Sequence, residues 1–484
     1  MPIIIDQIKG ALDEDKSLVI KKALKTVNMS ENDILSADIN KISLDARKQN
    51  DIHFVYSIYV KALSKNTEKK ICRNKNCRYV SDSIFTPEIS SLKRDGEVVI
   101  AGFGMFCGLL LAEYGYRPVI IERGKPVDER IKDVEKYWKG GELNTESNVQ
   151  FGEGGAGTFS DGKLTTRIND PLCRYVLKKF AEFGAPEEIL IKAKPHIGTD
   201  NLREIVKNIR LKILSLGGKI IFNAKLDDFS VYNGSVNGIT YNRINKIKAS
   251  ALVMAVGHSA RDTFEMLVNK NVFLEPKPFS VGVRIEHKQM DVNYSLYGKY
   301  ADNPNLPVGE YQLSYRRPDG RCVYTFCMCP GGHVVPSASE EKTVVTNGMS
   351  EFARNGENAN SALVVSVSDK DYGSGILDGV NFARTIEQNA FNCVGGQKYA
   401  PATTVKGFLE DSPFLKSDIR PTYDRGICSC DLNKIFPDFI TSMMGEGLRC
   451  FSQKMKCFGD GNALLTAPET RTSSPVRCKR TENM

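Results

Sequence analysis

The sequence predicts an α/β fold in three parts: a small N-terminal α/β module, a Rossmann-like nucleotide domain, and an inserted mixed α+β domain. Three stretches carry that prediction. In residues 97–124 a β-branched run, Val98-Val99-Ile100, enters the turn Gly102-Phe103-Gly104; an apolar helical stretch follows, then a strand over 118–121 that ends on Glu122. Residues 148–167 crowd Gly152, Gly154, Gly155, Gly157 and Gly162 among hydroxyls and charges. Residues 251–257 form an apolar strand that runs into Gly257.

The first stretch has the order of a dinucleotide-binding βαβ unit. Its glycines allow a sharp turn and close approach to a pyrophosphate, and the helix N-terminus offers N–H groups to the anion. Glu122, twenty positions after Gly102, stands where an acidic residue accepts ribose hydroxyls. The third small residue of the G-x-G-x-x-G pattern should fall at 107, where the chain has Cys107. In the second stretch, so many glycines cost conformational entropy on ordering, which a ligand approached by backbone amides explains. Thr158 and Ser160 offer hydroxyls for a helix cap, a phosphate or a ring edge, and Lys163 adds positive charge.

Composition excludes several function classes. The chain has 484 residues, 41% hydrophobic and 26% charged, and suggests two or three domains. Its net charge of +8 is scattered without interleaved aromatics, which argues against nucleic acid. The longest apolar stretches, such as 105–112, fall short of a membrane span. No secretory segment is expected, since Met1-Pro2-Ile3-Ile4-Ile5-Asp6 reaches an acid at once. Thirteen cysteines at irregular spacing then predict free thiols in a reducing cytoplasm. Cys327 and Cys329, like Cys428 and Cys430, have one intervening residue, and the five histidines form no partner pair, so no metal site is expected. No Ser–His–Asp order, flanked carboxylate pair or Walker-type Gly-Lys-Ser supports a hydrolase or kinase.

In chain order, residues 1–63 read as the N-terminal module: a strand at 3–8, a helix at 16–27, and alternating strands at 34–44 and 53–63. Residues 64–95 lack periodicity and read as a linker. The nucleotide domain spans 96–262, with helices predicted at 127–139, 170–183 and 200–216 and a strand at 219–222. His258 either faces the ligand or caps the helix that starts near Asp262. A substrate-facing α+β domain follows over 263–465. Its strands are expected at 278–284, 312–315, 322–328, 343–348 and 362–367, and its helices at 380–393 and 437–444. Residues 466–484 form a return segment.

With these stretches assembled, the chain resembles a largely uncharacterised family of bacterial FAD-dependent dehydrogenases in the glutathione-reductase-like flavoprotein group. The matching text includes ISLDARKQNDIHFVYS (42–57), RPVIIERGKPVDER (117–130), SNVQFGEGGAGTFSDGKLTTRI (147–168), VGHSARDTFEML (256–267), FCMCPGG (326–332), NGMS (347–350), RNGENANSALVVSV (354–367) and ETRTSSPVR (469–477). The resemblance implies FAD as cofactor and a small-molecule substrate, with NAD(P)H a candidate electron donor. It places Gly102, Gly104, Glu122, Arg123, Gly154, Gly155, Ala156, Gly157, Thr158, Ser160, Asp161, Gly162, Lys163 and Gly257 around the cofactor. No residue is assigned as acid or base; His258, Arg261 and Lys163 are the polar candidates.

Two departures from that family stand out. Its first turn reads Gly-Phe-Gly-Pro-Ala-Gly-Met-Phe-Cys, whereas this chain passes from Gly104 directly to Met105-Phe106-Cys107. Losing three residues leaves later helix positions about 60° short of a full turn and shortens the rise by about 4.5 Å. The family's glycine-rich C-terminal motif is also missing after Arg477, which reads as a truncation. These departures predict weakened cofactor retention, or alternatively a non-catalytic homologue serving as a binding or scaffold protein. The oligomeric state stays open.

Overall fold

Backbone pairing turns the predicted βαβ order into a parallel sheet. The computed structural model describes residues 2–72, 74–80, 97–166, 168 and 170–480. The parallel sheet has the order Ala249–Met254, Glu97–Ala101, Val119–Ile121, Lys219–Ile221. Val99, Ile100, Ala101, Ile120 and Ile121 are all buried, as a parallel strand covered on both faces requires. Helix Met105–Glu113 lies close because Gly108 has no side chain: a Cβ there would stand 2.6 Å from Ile120 Cδ1. From strand Glu97–Ala101 the chain crosses to Val119–Ile121 on one side, and Ala249–Met254 pairs on the other. The sheet therefore has its topological switch between strands Glu97–Ala101 and Ala249–Met254, where open α/β sheets take ligands. An antiparallel three-stranded excursion, Leu226–Tyr232, Ser235–Tyr241 and Asn245–Ile247, precedes that last strand. Its Leu226 and Ile239 share a core with Val99, Val119 and Ile121.

The C-terminal half builds a seven-stranded sheet of order Ser314–Arg316, Cys322–Cys329, Asn358–Val367, Phe279–Lys288, Leu464–Glu469, Ala400–Thr404, Ile427–Ser429. Helix Asp438–Lys454 packs on it, with Gly447 so close that a Cβ would lie 2.6 Å from Val323 Cγ1. Strand Asn358–Val367 starts four residues earlier than periodicity predicts, because Asn358 and Asn360 are polar yet buried. Helix Asp438–Lys454 likewise extends past the expected 437–444. Strand Leu464–Glu469 lies inside this sheet, between Phe279–Lys288 and Ala400–Thr404, and Val476–Cys478 pairs with Leu274–Pro276. The return segment thus supplies strands to the second half, where a return to the nucleotide domain was expected.

The chain divides into two units, and the borders differ from the sequence reading. One comprises 1–90, 163–197 and 293–309; the other comprises 91–162, 198–292 and 310–484. Within the first, strands Ile34–Asp45, His53–Ala62, Ile3–Gly10 and Cys77–Tyr79 form an antiparallel sheet in that order. Helix Lys16–Thr26 covers it with Val19, Ala23 and Leu24. Residues 163–197 join this unit through backbone pairing at its edge: Ile42 N donates to Ile191 O at 2.7 Å, and Ala193 N to Ile42 O at 2.9 Å. An edge strand's unpaired amides make such a partner favourable. The expected linker at 64–95 instead contains helix Lys65–Ile71 and strand Cys77–Tyr79; its residues 81–95 lie outside the described residues.

The expectation of free thiols is corrected at one pair, since Cys393 and Cys430 are joined in a disulfide. Among the described residues, no helix is long and apolar enough to cross a membrane.

Candidate functional site

The C-terminal edge of the parallel sheet opens into a cleft. Gly102 and Phe103 line it from the first strand, Glu122 and Arg123 from the second, and Ala255 to His258 from the strand across the switch point. Gly152, Gly155 and Ala156 come from the glycine-rich loop. Gly102 turns at a φ of +85°, and a Cβ on it would stand 2.3 Å from Ala255 O. The two strand ends touch there, and any side chain would force them apart.

Glu122 is buried at the bottom of this cleft. Its Oε1 accepts hydrogen bonds from Gly124 N and Gly152 N, both at 2.9 Å. Burial pushes its carboxyl up, while those two amides and the charge of Arg130 oppose the shift. Arg123 lies over the Phe151 ring at 4.3 Å and donates to Asp262 Oδ1 at 2.8 Å.

Arg130 explains why the glycine-rich loop is ordered. It is fully buried and donates to three main-chain carbonyls: Asn148 at 2.9 Å, Val149 at 3.0 Å and Glu153 at 2.6 Å. Burial lowers its pKa to about 9. Gly152 has a φ of +119°, and a Cβ there would lie 2.4 Å from Arg130 Cδ. Glu153 closes the other side: Oε2 accepts from Val127 N at 2.6 Å at the start of helix Val127–Trp138, and Oε1 meets Arg210 Nε at 2.9 Å. An anion at a helix N-terminus is favourable.

The wall beyond His258 is a buried ionic network. Glu387 accepts from Arg261 Nη2 at 2.8 Å, Thr470 Oγ1 at 2.6 Å, and Arg471 Nε and Nη2 at 3.0 and 3.1 Å. These bonds and the two guanidinium charges overcome the burial that raises a carboxyl, so the Glu387 pKa is lowered. Arg471 Nη1 donates to Ser259 Oγ at 2.8 Å, and Ser259 Oγ lies 2.9 Å from His258 Nδ1. Burial, with Arg471 and Arg261 nearby, lowers His258 to about 4. His258 is therefore neutral at physiological pH and lines the cleft. Helix Arg261–Asn269 starts after it, with Ala260 at the cap position.

Of the residues selected from sequence, Gly102, Glu122, Arg123, Gly155, Ala156 and Gly257 line the cleft together. Gly104 sits at the cap of helix Met105–Glu113, where a Cβ would lie 2.9 Å from Ala255 Cβ. Gly154, Gly157, Thr158, Ser160, Asp161 and Gly162 fall outside the lining. Thr158 Oγ1 donates to Glu153 O at 3.2 Å, and Ser160 Oγ to Gly157 O at 2.8 Å. Asp161 is buried against Arg354, whose Nη2 reaches its Oδ2 at 2.5 Å. Those hydroxyls and that carboxylate serve the loop itself. Lys163 belongs to the other unit, where it bridges His196. Sequence reasoning missed Phe103, Gln150, Phe151, Ala224, Leu226, Ser259 and Thr263 as lining residues. Ala224 and Leu226 carried no signal, since only the antiparallel excursion brings them to the strand ends.

Residues 278–472 match a family model described as FAD-dependent protein, C-terminal domain-like, and residues 1–61 match a domain of unknown function, DUF8436. Among solved structures, Thermovibrio ammonificans THI4 is 19% identical over 37% of this chain and 64% of its own, with a TM-score of 0.24. L-amino acid deaminase from Proteus vulgaris is 13% identical over 43% of this chain and 64% of its own, at 0.27. Glycine oxidase from Bacillus cereus is 12% identical over 55% of this chain and 70% of its own, at 0.28. The chain spans less than two thirds of the first two, and scores this low do not establish a common fold. An uncharacterized protein of Clostridium beijerinckii (strain ATCC 51743 / NCIMB 8052) is 45% identical over 495 residues, covering 100% of this chain and 92% of its own length. The chain belongs to one family with that Clostridium beijerinckii protein, and its residues 278–472 are similar to the family described as FAD-dependent protein, C-terminal domain-like.

Proposed function

We propose that this protein is an FAD-dependent oxidoreductase of the glutathione-reductase-like group, acting on a small-molecule substrate in the cytoplasm. One observation carries the reading: Gly102, Glu122, Gly155 and Gly257 converge on a single cleft at the switch point of a parallel sheet. The residues present fit a dinucleotide. Gly155 and Gly257 line the cleft at φ values of +64° and +74°, and a Cβ on either would meet nothing within 4 Å. That open space beside bare backbone suits a cofactor, and Glu122 supplies the carboxylate for a ribose.

In this reading Glu122 would hold the adenosine ribose, and the 102–104 turn with the N-terminus of helix Met105–Glu113 would receive the pyrophosphate. Gly155, Ala156 and Gly257 border the cofactor. When bound, the flavin supplies a hydride or electron-pair acceptor. His258, held neutral, orients against Ser259 and can accept or share a proton at its ring nitrogens. Retention is weakened, because the first helical turn presents Met105, Phe106 and Cys107 where the related turn has bare backbone.

The test is the flavin content of purified protein, followed by titration with FAD. Substoichiometric flavin that rises to saturation supports the reading, and restoring Pro-Ala-Gly after Gly104 should raise it further. Failure to bind FAD overturns the cofactor assignment, while equimolar flavin on isolation overturns weakened retention alone. Anaerobic bleaching by NADH, NADPH and other reductants separates an enzyme from a flavin-binding scaffold, which would bind FAD and stay yellow.

A further inference from the structure

The motif Cys327-Met328-Cys329 lies outside the cleft just described. It sits where strand Cys322–Cys329 breaks register against Asn358–Val367, between Phe326 and Cys329. Cys327 there takes a φ of +41°, in the left-handed region a side chain seldom adopts. Such bulges re-aim side chains beside functional sites. Neither sulfur is in a disulfide; Cys329 is fully buried and Cys327 is partly exposed.

A fully buried arginine faces both residues. Arg284 Nη2 donates to Cys327 O at 3.0 Å and lies 3.6 Å from Cys329 Sγ. Its Nη1 is 3.6 Å from Glu469 Oε2. Arg284 Nη1 and Glu469 Oε2 are thus a buried ion pair, while Asn360 Nδ2 is buried without a hydrogen-bond partner, a cost a fold seldom leaves unmet away from a functional site. The two residues are neighbours at the bulge: Cys329 Sγ is 3.3 Å from Cys327 O and interacts with the Cys327 side chain. That contact, with burial, holds the Cys329 proton on well above the usual thiol range. Burial also holds Glu469 near neutrality, at about 7, so it only partly cancels the Arg284 charge beside the sulfurs.

We propose that Cys327 and Cys329 form a redox-active dithiol that reduces low-molecular-weight disulfides, with Cys327 the attacking thiol, Cys329 the resolving thiol and Arg284 the positioning cation. Cys327, the partly exposed residue of the pair, attacks as its thiolate one sulfur of R–S–S–R, forming Cys327–S–S–R and releasing one RSH after the leaving thiolate takes up a proton. Cys329 then gives up its proton and attacks Cys327 Sγ, forming the Cys327–Cys329 disulfide and releasing the second RSH. Two electrons and two protons pass from the dithiol to the substrate. A disulfide between residues two apart closes a tight ring, the kind that is labile and readily reduced again. The step needs no flavin, so it stands independently of the FAD reading.

Oxidised glutathione is the probe. Reduced full-length protein is exposed to it, quenched by alkylation, and the peptide holding residues 327 and 329 is weighed. The expected product is an unalkylated peptide two hydrogens lighter. In Cys329→Ala the mixed disulfide with glutathione should accumulate at Cys327 about tenfold over the native protein, since nothing resolves it. In Cys327→Ala, Cys329 should acquire no glutathione. Recovery of both cysteines alkylated in the native protein overturns the proposal without relying on any variant. Equal adduct at Cys327 with and without Cys329 overturns the resolving role.

Discussion

The two glycine-bearing turns at the cleft use the same residue for opposite ends. In the first, glycine makes room for the protein itself: a Cβ on Gly102 would meet Ala255 O at 2.3 Å, and one on Gly104 would meet Ala255 Cβ at 2.9 Å. In the second loop, Gly155 and Gly157 would gain side chains with nothing within 4 Å. Gly152 and Gly154, at the root of that loop, behave like the first turn, pressed against Arg130 and Thr158. A glycine-rich segment therefore has a packed base and an open tip, and only the tip leaves room for a ligand.

The comparison can be broken at its base first. Arg130→Met leaves the carbonyls of Asn148, Val149 and Glu153 without their donor, and we expect a loss of about 3–5 kcal/mol in urea unfolding. Gly102→Ala should cost about 2–4 kcal/mol by the same measurement, because the obstacle is backbone and the φ is positive.

The cleft wall gives a pH test. Folded, His258 takes its proton only near pH 4; unfolded, near 6.5. Between those values the unfolded chain binds more protons, so this group's contribution is complete above about pH 6.5 and is lost as pH falls toward 4. His258 stays partly open to the cleft, which limits the effect to about 3 kcal/mol at most. His258→Gln should flatten that part of the stability profile between pH 4 and 6.5.

The tip should respond least in stability and most in binding. Gly155→Ala carries only the strain of its left-handed backbone, about 1 kcal/mol, yet should lower bound flavin, read from absorbance against protein. Gly157→Ala has open space and no positive φ; it should stay within about 0.5 kcal/mol of the native protein. A large stability loss at 157 would erase the distinction between base and tip.

Periodicity and glycine spacing made the parallel sheet legible, since Val98 to Ile100 and Glu122 lie in one local βαβ unit. Gly102, Glu122, Gly155 and Gly257 could be selected because each ends or interrupts a strong local pattern. Thr158, Ser160 and Asp161 were selected for their chemistry, but side chains suited to a ligand also suit the loop's own carbonyls and Arg354. Residues 163–197 read as part of the nucleotide domain because sequence adjacency was the only guide. The edge pairing of Ile42 with 191–193 is a long-range backbone event with no side-chain signature. Arg130 looked like one more charge on an amphipathic helix, although it organises the loop twenty residues away.

Glu387 has a consequence for the order of assembly. One carboxylate gathers Arg261, Thr470 and Arg471, so the wall behind His258 joins segments separated by more than two hundred positions. During synthesis the parallel sheet can form well before residue 471 emerges, but until then Arg261 and Glu387 lack the partner that joins them to Ser259. A nascent chain halted before that point would hold an unfinished cleft, and the capacity to bind should appear late and abruptly in translation.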